Sequence, residues 1–289
     1  MSLTAKFNLV LIAVFSLGLL IAGALSYKIL HDNARREVIE RAGLMMESAL
    51  AVRGYTVSEI SPLLAPQMKD VFLPQTVPAY AATQSFQQLR KNHPAYAYKE
   101  ATLNPTNPQD RPVEWEADII EQFRNHSDQT EIIGVRATPS GDSLYLARPI
   151  QIKNGACLAC HSTVEAAPKT LLARYGNANG FGWKLNDIVG AQIVSVPMSL
   201  PFEKARQAFN TFMASLVAIF LFLIVILNLM LRTIVIAPVT RMSRIADEVS
   251  KGNMEAEELS ETGKDEISVL AASFNRMRRS LEKAMKMLE

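Results

Sequence analysis

Gly190-Ala191-Gln192-Ile193-Val194-Ser195-Val196-Pro197, followed by Met198-Ser199-Leu200-Pro201, is the stretch that decides the architecture. Branched residues held between a glycine and a proline predict a strand. Ser199 then stands where a helix N-cap is expected, with Pro201 inside the first turn. The helix that starts there enters an apolar block, Ala208 to Leu231, interrupted mainly by Asn210 and Asn228. At roughly 24 residues it is long enough to cross a hydrocarbon core of about 30 Å. A folded domain thus ends on a strand that feeds directly into a membrane span. That layout suits a module that pulls or twists a transmembrane helix.

A second uncharged block, Phe7 to Tyr27, lies near the N-terminus and is also long enough to span, at roughly 21 residues. Ala22-Gly23-Ala24 resembles a signal-peptide cleavage site. The apolar stretch outlasts a usual signal core and continues into a helical pattern, so a retained anchor is expected. After the second span stand Arg232, Arg241, Arg244 and Lys251, against Lys204 and Arg206 before it, which favours a cytoplasmic C-terminus. Around the first span the count runs the other way, with Lys6 before it and Lys28, Arg35 and Arg36 after. The intervening segment is about 180 residues, and domains of that length translocate largely regardless of charge. The expected layout is a cytoplasmic N-terminus over 1–6, spans over 7–27 and 208–231, an exported domain over 28–207 and a cytoplasmic tail over 232–289. A net charge of +2 with no basic stripe argues against a nucleic-acid partner.

Within the exported segment a helix is predicted from Ile29 to Leu64. Val38, Ala42, Met45, Ala49 and Val52 recur at steps of three and four, and no proline occurs before Pro62. Pro66 and Pro74 break that pattern, and Asn104-Pro105-Thr106-Asn107-Pro108 marks a loop over Thr102 to Pro112. A helix is predicted from Glu114 to Arg124. Glu131 to Thr138 and Ser143 to Ile152 read as the two strands of a hairpin turning at Ser140-Gly141-Asp142. The fold class is therefore mixed α/β (α+β), with a long N-terminal helix.

Four histidines and two cysteines occur in the whole chain, and three of these six residues meet in Cys157-Leu158-Ala159-Cys160-His161. This is the attachment pattern of a c-type haem. Two thiols three positions apart can add to the two vinyl groups of one porphyrin edge, and the adjacent histidine falls beneath the iron as proximal ligand. A redox-active Cys pair would be expected at a helix start after a thioredoxin-like strand. A structural zinc site needs four ligands, and no second Cys pair or His-x-x-x-His is present. A disulfide across so short a loop would staple almost nothing. One covalently attached haem c is expected, held by Cys157, Cys160 and His161. Because such attachment is made outside the cytoplasm, the domain is expected in the periplasm or its equivalent. The second iron ligand stays open among Met45, Met46, Tyr55, His93 and His126, with His31, Met68 and Met198 as further candidates, and an open site for a gas is also compatible. Arg53, Arg136 and Arg148 are candidates to pair the haem propionates.

Beyond Arg232 a heptad pattern occurs twice. Val239, Met242, Ala246 and Val249 form one set; Ile267, Leu270, Phe274, Met277, Leu281, Ala284 and Leu288 form the other. Two such helices joined by the polar segment Gly252 to Lys264 would pack as a parallel coiled coil between two chains. With Pro238 just after the span, Gly252 and Glu258-Leu259 in the connector, Asp265-Glu266-Ile267 opening the second helix and Phe274-Asn275-Arg276-Met277 within it, the tail resembles the HAMP linker of bacterial receptors. Ser268 stands where many members have glycine. The resemblance implies an all-α HAMP coiled coil, a homodimer and a four-helix bundle that relays rotation or tilt.

The exported segment resembles the single-haem, PAS-like sensor domains long catalogued as a domain of unknown function. The matching stretches are Pro74-Gln75-Thr76-Val77-Pro78-Ala79-Tyr80, Tyr98 to Pro105 and Cys157 to His161. Some relatives take the second iron ligand from a cysteine in the first long helix; here that helix has none, and Arg53 stands near the equivalent place, which moves Met45, Met46 or Tyr55 up the list. Together these features lead to the expectation of a two-pass receptor in a bacterial inner membrane. Haem redox state or a bound gas or small redox ligand would be read there and passed to a separate cytoplasmic signalling partner, since no kinase, cyclase or methyl-accepting region follows Glu289. The alternative is a membrane-anchored monohaem cytochrome for periplasmic electron transfer. No catalytic residues are expected, since nothing convergent supports an enzyme.

Overall fold

One helix, α1 (Leu3–Tyr55), carries both the first apolar block and the amphipathic stretch after it without a break. The continuation of the apolar block into the helical pattern is thus as expected. A π-turn, Thr56–Ile60, follows, in which the Ser61 N–H reaches the Thr56 carbonyl, and a short α2 (Ser61–Leu64) completes the helical run. Pro62 accounts for the change of pitch, because it lacks an N–H and its ring crowds the preceding turn. The computed structural model describes residues 1–139, 141–253, 255–260 and 263–287. Ser140 of the expected hairpin turn and Leu288, the last heptad position, lie outside the described residues, as does part of the 252–264 connector. The chain divides into two compact units, Tyr27–Ala208 and Met1–Ser26 with Phe209–Glu289.

The unit Tyr27–Ala208 is built on a four-stranded antiparallel sheet in the order β1-β4-β3-β2. Its strands are β1 (Ala97–Thr102), β2 (Ile132–Thr138), β3 (Gly141–Gln151) and β4 (Ile188–Pro197). On one face, Leu144, Leu146, Val194, Val196 and Tyr98 meet Val38, Ala42, Met46 and Ala49 of α1 and Ala82 and Phe86 of α3 (Pro78–Asn92). On the other, Ala101, Ile132, Ala147, Ala191 and Ile193 meet Ile119, Ile120 and Phe123 of α4 (Glu114–Asn125). Alternate residues of β3 and β4 thus enter two different cores, as period-two geometry requires. Both faces being covered, β4 reads as a nearly continuous apolar run. The helix α4, the hairpin strands β2 and β3, and the inner strand β4 fall within two residues of expectation. Three elements were not legible: α3, β1, and α6 (Lys169–Tyr175).

A polar network ties α1 to the sheet. Glu100 on β1 is almost fully buried and forms an ion pair with Arg53. The Tyr98 hydroxyl donates to the other Glu100 oxygen at 2.7 Å and accepts from Gln192 of β4 at 3.2 Å. Burial, and then the Glu100 charge, push the Tyr98 phenol well above its ordinary value. A second tie runs from Arg148 of β3 to Glu47 of α1 at 2.7 Å and to Glu131 at 3.0 Å.

In the other unit, α7 (Ser199–Met230) runs beside the N-terminal part of α1. Asn228 Nδ2 donates to Asn8 Oδ1 at 2.8 Å, Phe220 stacks on Phe15 at 4.5 Å, and Met213 lies over Gly23. The partner numbers fall in one chain segment as they rise in the other, in steps near seven, so the two helices run antiparallel with a heptad-like seam. Both are long and apolar enough to cross a membrane. A π-turn, Leu231–Ile236, follows α7 and again precedes a proline, Pro238, in α8 (Ala237–Ser250). The connector then folds back onto α8 and α9 (Glu266–Lys286) around Met242, Ile245, Val249, Leu259 and Ala271. Within the single chain Met242, Ile245 and Val249 of α8 are buried and Val239 is exposed. Asn275 both accepts from the Leu259 N–H and donates to its carbonyl, while Arg278 donates to the Ala256 carbonyl.

Replacing Arg53 by Ala leaves Glu100 buried without its cation. The expected cost is about 3 kcal/mol, read as a lower thermal midpoint for this unit; an unchanged midpoint would make the pair dispensable.

Candidate functional site

The Cys157–His161 motif sits on a long excursion between β3 and β4. Its base is closed by backbone bonds, from Ile152 N–H to the Asp187 carbonyl and from Asn186 N–H to the Ile152 carbonyl. The Asn154 side chain accepts from Ala156 N–H at 2.9 Å and so starts the 3₁₀ turn Gly155–Cys157. One helical turn, α5 (Leu158–His161), follows. Cys157 and Cys160, three positions apart across this turn, therefore project from one side of it. Both thiols are free; Cys157 is exposed and Cys160 half-buried. Burial, and then the neighbouring Cys157, push the Cys160 thiol up.

His161 is held on three sides. Its Nδ1 lies 2.8 Å from the Gly180 carbonyl and 3.4 Å from the Thr106 hydroxyl, and its ring stacks on Trp183 at 4.0 Å. A carbonyl can only accept, so Nδ1 carries the proton and Nε2 keeps its lone pair. Burial holds the imidazole below its ordinary pKa, with the Gly180 bond opposing that shift, so the ring stays neutral. A metal-binding histidine is typically oriented in this way, through a hydrogen bond from its other nitrogen.

The segment Gly180–Trp183 is itself fastened at both ends. Gly182 N–H donates to the Ser162 carbonyl at 2.8 Å, and Trp183 N–H to that of His161 at 3.1 Å. From the opposite side Asn104 accepts from Gly180 N–H at 3.1 Å and donates to the Phe181 carbonyl at 3.2 Å. Gly180 has φ +89°, and a Cβ there would run into Thr106, with its Cα only 2.9 Å away. Glycine is therefore required at 180 on two counts. The Asn104-Pro105-Thr106 loop is thus what brings β1 to the motif. Gly180, Trp183, Asn104 and Thr106 had not been singled out; the run Gly176-Asn177-Ala178-Asn179-Gly180-Phe181-Gly182 was the available signal, as turn chemistry placed soon after the motif.

Two thiols on one turn, beside an imidazole whose Nδ1 is engaged and whose Nε2 is available, are a donor set that fits a covalently attached haem. The candidates for a second iron ligand occupy other places. Met46 is fully buried in the core with Ala82, Phe86 and Leu144, and Met45 and Met198 pack against the same core. His93 and His126 are exposed C-caps of α3 and α4. His31 lies between Tyr27 and Phe202, and the Met68 sulfur accepts from Leu73 N–H. Tyr55 is exposed at the end of α1. No hydrogen bond or ring contact joins His161 to any of these among the described residues. The three arginines considered for propionates also have partners in the protein: Arg53 pairs with Glu100, Arg148 with Glu47 and Glu131, and Arg136 lies over Trp115 at 4.3 Å.

Residues 31–197 match the Tll0287-like family model. The chain belongs to the Tll0287-like family. Residues 230–283 match the HAMP domain, so a Tll0287-like domain and a HAMP domain are joined by α7. The sensor histidine kinase WalK of Bacillus subtilis (strain 168) is 34% identical over 103 residues, 36% of this chain. That match spans only 16% of the kinase. The crystal structure of the cyanobacterial heme-protein Tll0287 is similar over 56% of this chain and 95% of its own, with 16% identity and a TM-score of 0.42. The two matched domains, with two helices able to span a membrane, are the architecture of a transmembrane signalling receptor.

Asn104→Ala removes both side-chain bonds that hold the Gly180 segment of the Tll0287-like domain. Amide exchange at Gly182 and Trp183 is expected to quicken by about tenfold or more, given roughly 1 kcal/mol per bond. Unchanged exchange would show that Asn104 does not brace His161.

Proposed function

We propose that this chain is a membrane-bound receptor whose Tll0287-like domain carries one haem c and passes its state through the HAMP domain to a cytoplasmic signalling output. The observation that carries the reading is His161 with Nδ1 bonded to Gly180 and Nε2 available, one residue from Cys160 and four from Cys157 on a single turn. The haem-protein character of Tll0287 agrees with it. Export of the domain follows from the chemistry of covalent attachment, and the arginines after α7 favour a cytoplasmic tail.

When bound at Cys157, Cys160 and His161, the haem would supply an iron whose redox state or bound ligand can change. The rest is work for the protein. His161 is linked through Gly180 and Asn104 to the end of β1, where Thr102 pairs with Gly190 of β4. From β1 the path divides: Glu100 meets Arg53 on α1, and β4 continues into α7. A displacement at His161 therefore reaches both rods that leave the domain. A coupling of about 1–3 kcal/mol would be an ordinary allosteric magnitude. On α9, Leu270, Met277 and Leu281 are exposed in the single chain and form the stripe on which a second copy would pack.

The test is a purified full chain, oxidised and reduced, with and without carbon monoxide. Haem absorption that survives denaturing electrophoresis is expected, with its loss in Cys157→Ser/Cys160→Ser and an altered spectrum in His161→Ala. Absence of any haem band in the wild type would sink the reading. Met277→Asp is expected to lower dimer affinity by about tenfold or more in sedimentation, leaving the haem spectrum unchanged; an undiminished dimer would rule out that stripe as the interface.

A further inference from the structure

A cleft of about 250 Å³ lies away from His161, between α3, the end of β1's connection to α4, and strands β1 and β4. At roughly 30 Å³ per water it has room for about eight waters, the size of a small organic acid. Its polar groups divide into satisfied and unsatisfied sets. Lys99 and Glu116 satisfy each other at 2.6 Å, and Glu116 also accepts from Val113 N–H. Arg90, on the exposed side of α3, has no partner among the described residues. Arg136 stacks on Trp115 with its hydrogen-bonding edge unused. The Asp110 carboxylate also lacks a partner there, and the buried Thr83 hydroxyl has none.

We propose that this cleft is a second ligand site, for a small carboxylic acid that bears a hydroxyl or amino group beside the carboxylate. Each unsatisfied charged group then has a counterpart. Guanidinium forks match a carboxylate, and the stacking on Trp115 pre-orients that of Arg136. Asp110, an acceptor, takes the donor on the neighbouring carbon. Its pKa is raised to about 6, first by burial and then by Glu100, yet it is still mainly ionised at neutral pH and so prefers a donor to water-free isolation. Lys99 and Glu116 fix the wall behind it. The site is independent of the haem reading, since the lining shares none of the contacts of His161. It bears on the same output, because Ile193 and Ser195 of β4 line the cleft and β4 runs into α7. The domain would then report on an organic acid as well as on its prosthetic group.

Titration calorimetry on the full chain in detergent, with lactate, alanine and propionate, tests this. Lactate or alanine is expected to bind, with propionate about tenfold weaker because it offers Asp110 no donor. Arg136→Gln and Arg90→Gln are each expected to weaken binding about tenfold, with unchanged far-ultraviolet dichroism. Arg90 is exposed, so its replacement tests the site without risk to folding. No binding of any of the three acids at millimolar concentration, equal binding of propionate and lactate, or wild-type affinity in both variants would overturn the proposal.

Discussion

Glu100 sits at the centre of the sheet's first strand with almost no access to water, and a lone carboxylate there would cost several kcal/mol. Arg53 from α1 and the Tyr98 hydroxyl make it tolerable, and Gln192 extends the network onto β4. A methyl-sized repacking can slide a purely apolar contact; a charged pair with a fixed hydrogen-bond partner resists sliding. The long first helix is therefore held at one height on the sheet. With Arg148 bonded to Glu47 one turn and a half further toward the N-terminus of α1, rotation of the rod is restrained as well. The apolar stripe Val38, Ala42, Met46 and Ala49 supplies affinity between helix and sheet, while the two ion pairs supply register.

What the sequence revealed and what it withheld divide along the same line. Features set by local chemistry were legible: two uncharged runs of spanning length, a hairpin of alternating residues, a helix starting at Ser199, and a Cys-x-x-Cys-His spacing that few chemistries require. β1 was hidden because its buried side includes Glu100, and a charged residue in a core position reads as a surface one until its partner is known. In α3 only Ala82 and Phe86 are buried, too thin a stripe for a periodicity argument. The surroundings of His161 come from stretches about twenty and fifty residues away, Gly180 and Thr106, which nothing in the motif itself points to. On α8 the connector residues Ala256 and Leu259 help to decide which side is covered within one chain, and so bring in Ile245 beside the heptad positions Met242 and Val249.

The helical connections carry a further consequence of sequence that periodicity does not expose. Both π-turns end two residues before a proline, at Pro62 and Pro238. A proline cannot accept the α-helical pattern behind it, and the chain absorbs the misfit by enclosing one more residue in the turn. One extra residue shifts the phase of all that follows by about 100°, the angle per residue of an α-helix. The turn at Leu231–Ile236 therefore sets the angle between the face of α7 that bears Asn228 and the face of α8 that bears Met242, Ile245 and Val249.

Continuity and phase together define what can pass along α7. Only Met198 separates β4 from α7, so the sheet and the helix are joined without a loop. The Asn8–Asn228 bond resists sliding of α7 against α1 at the far end, since breaking it leaves two amides in an apolar environment.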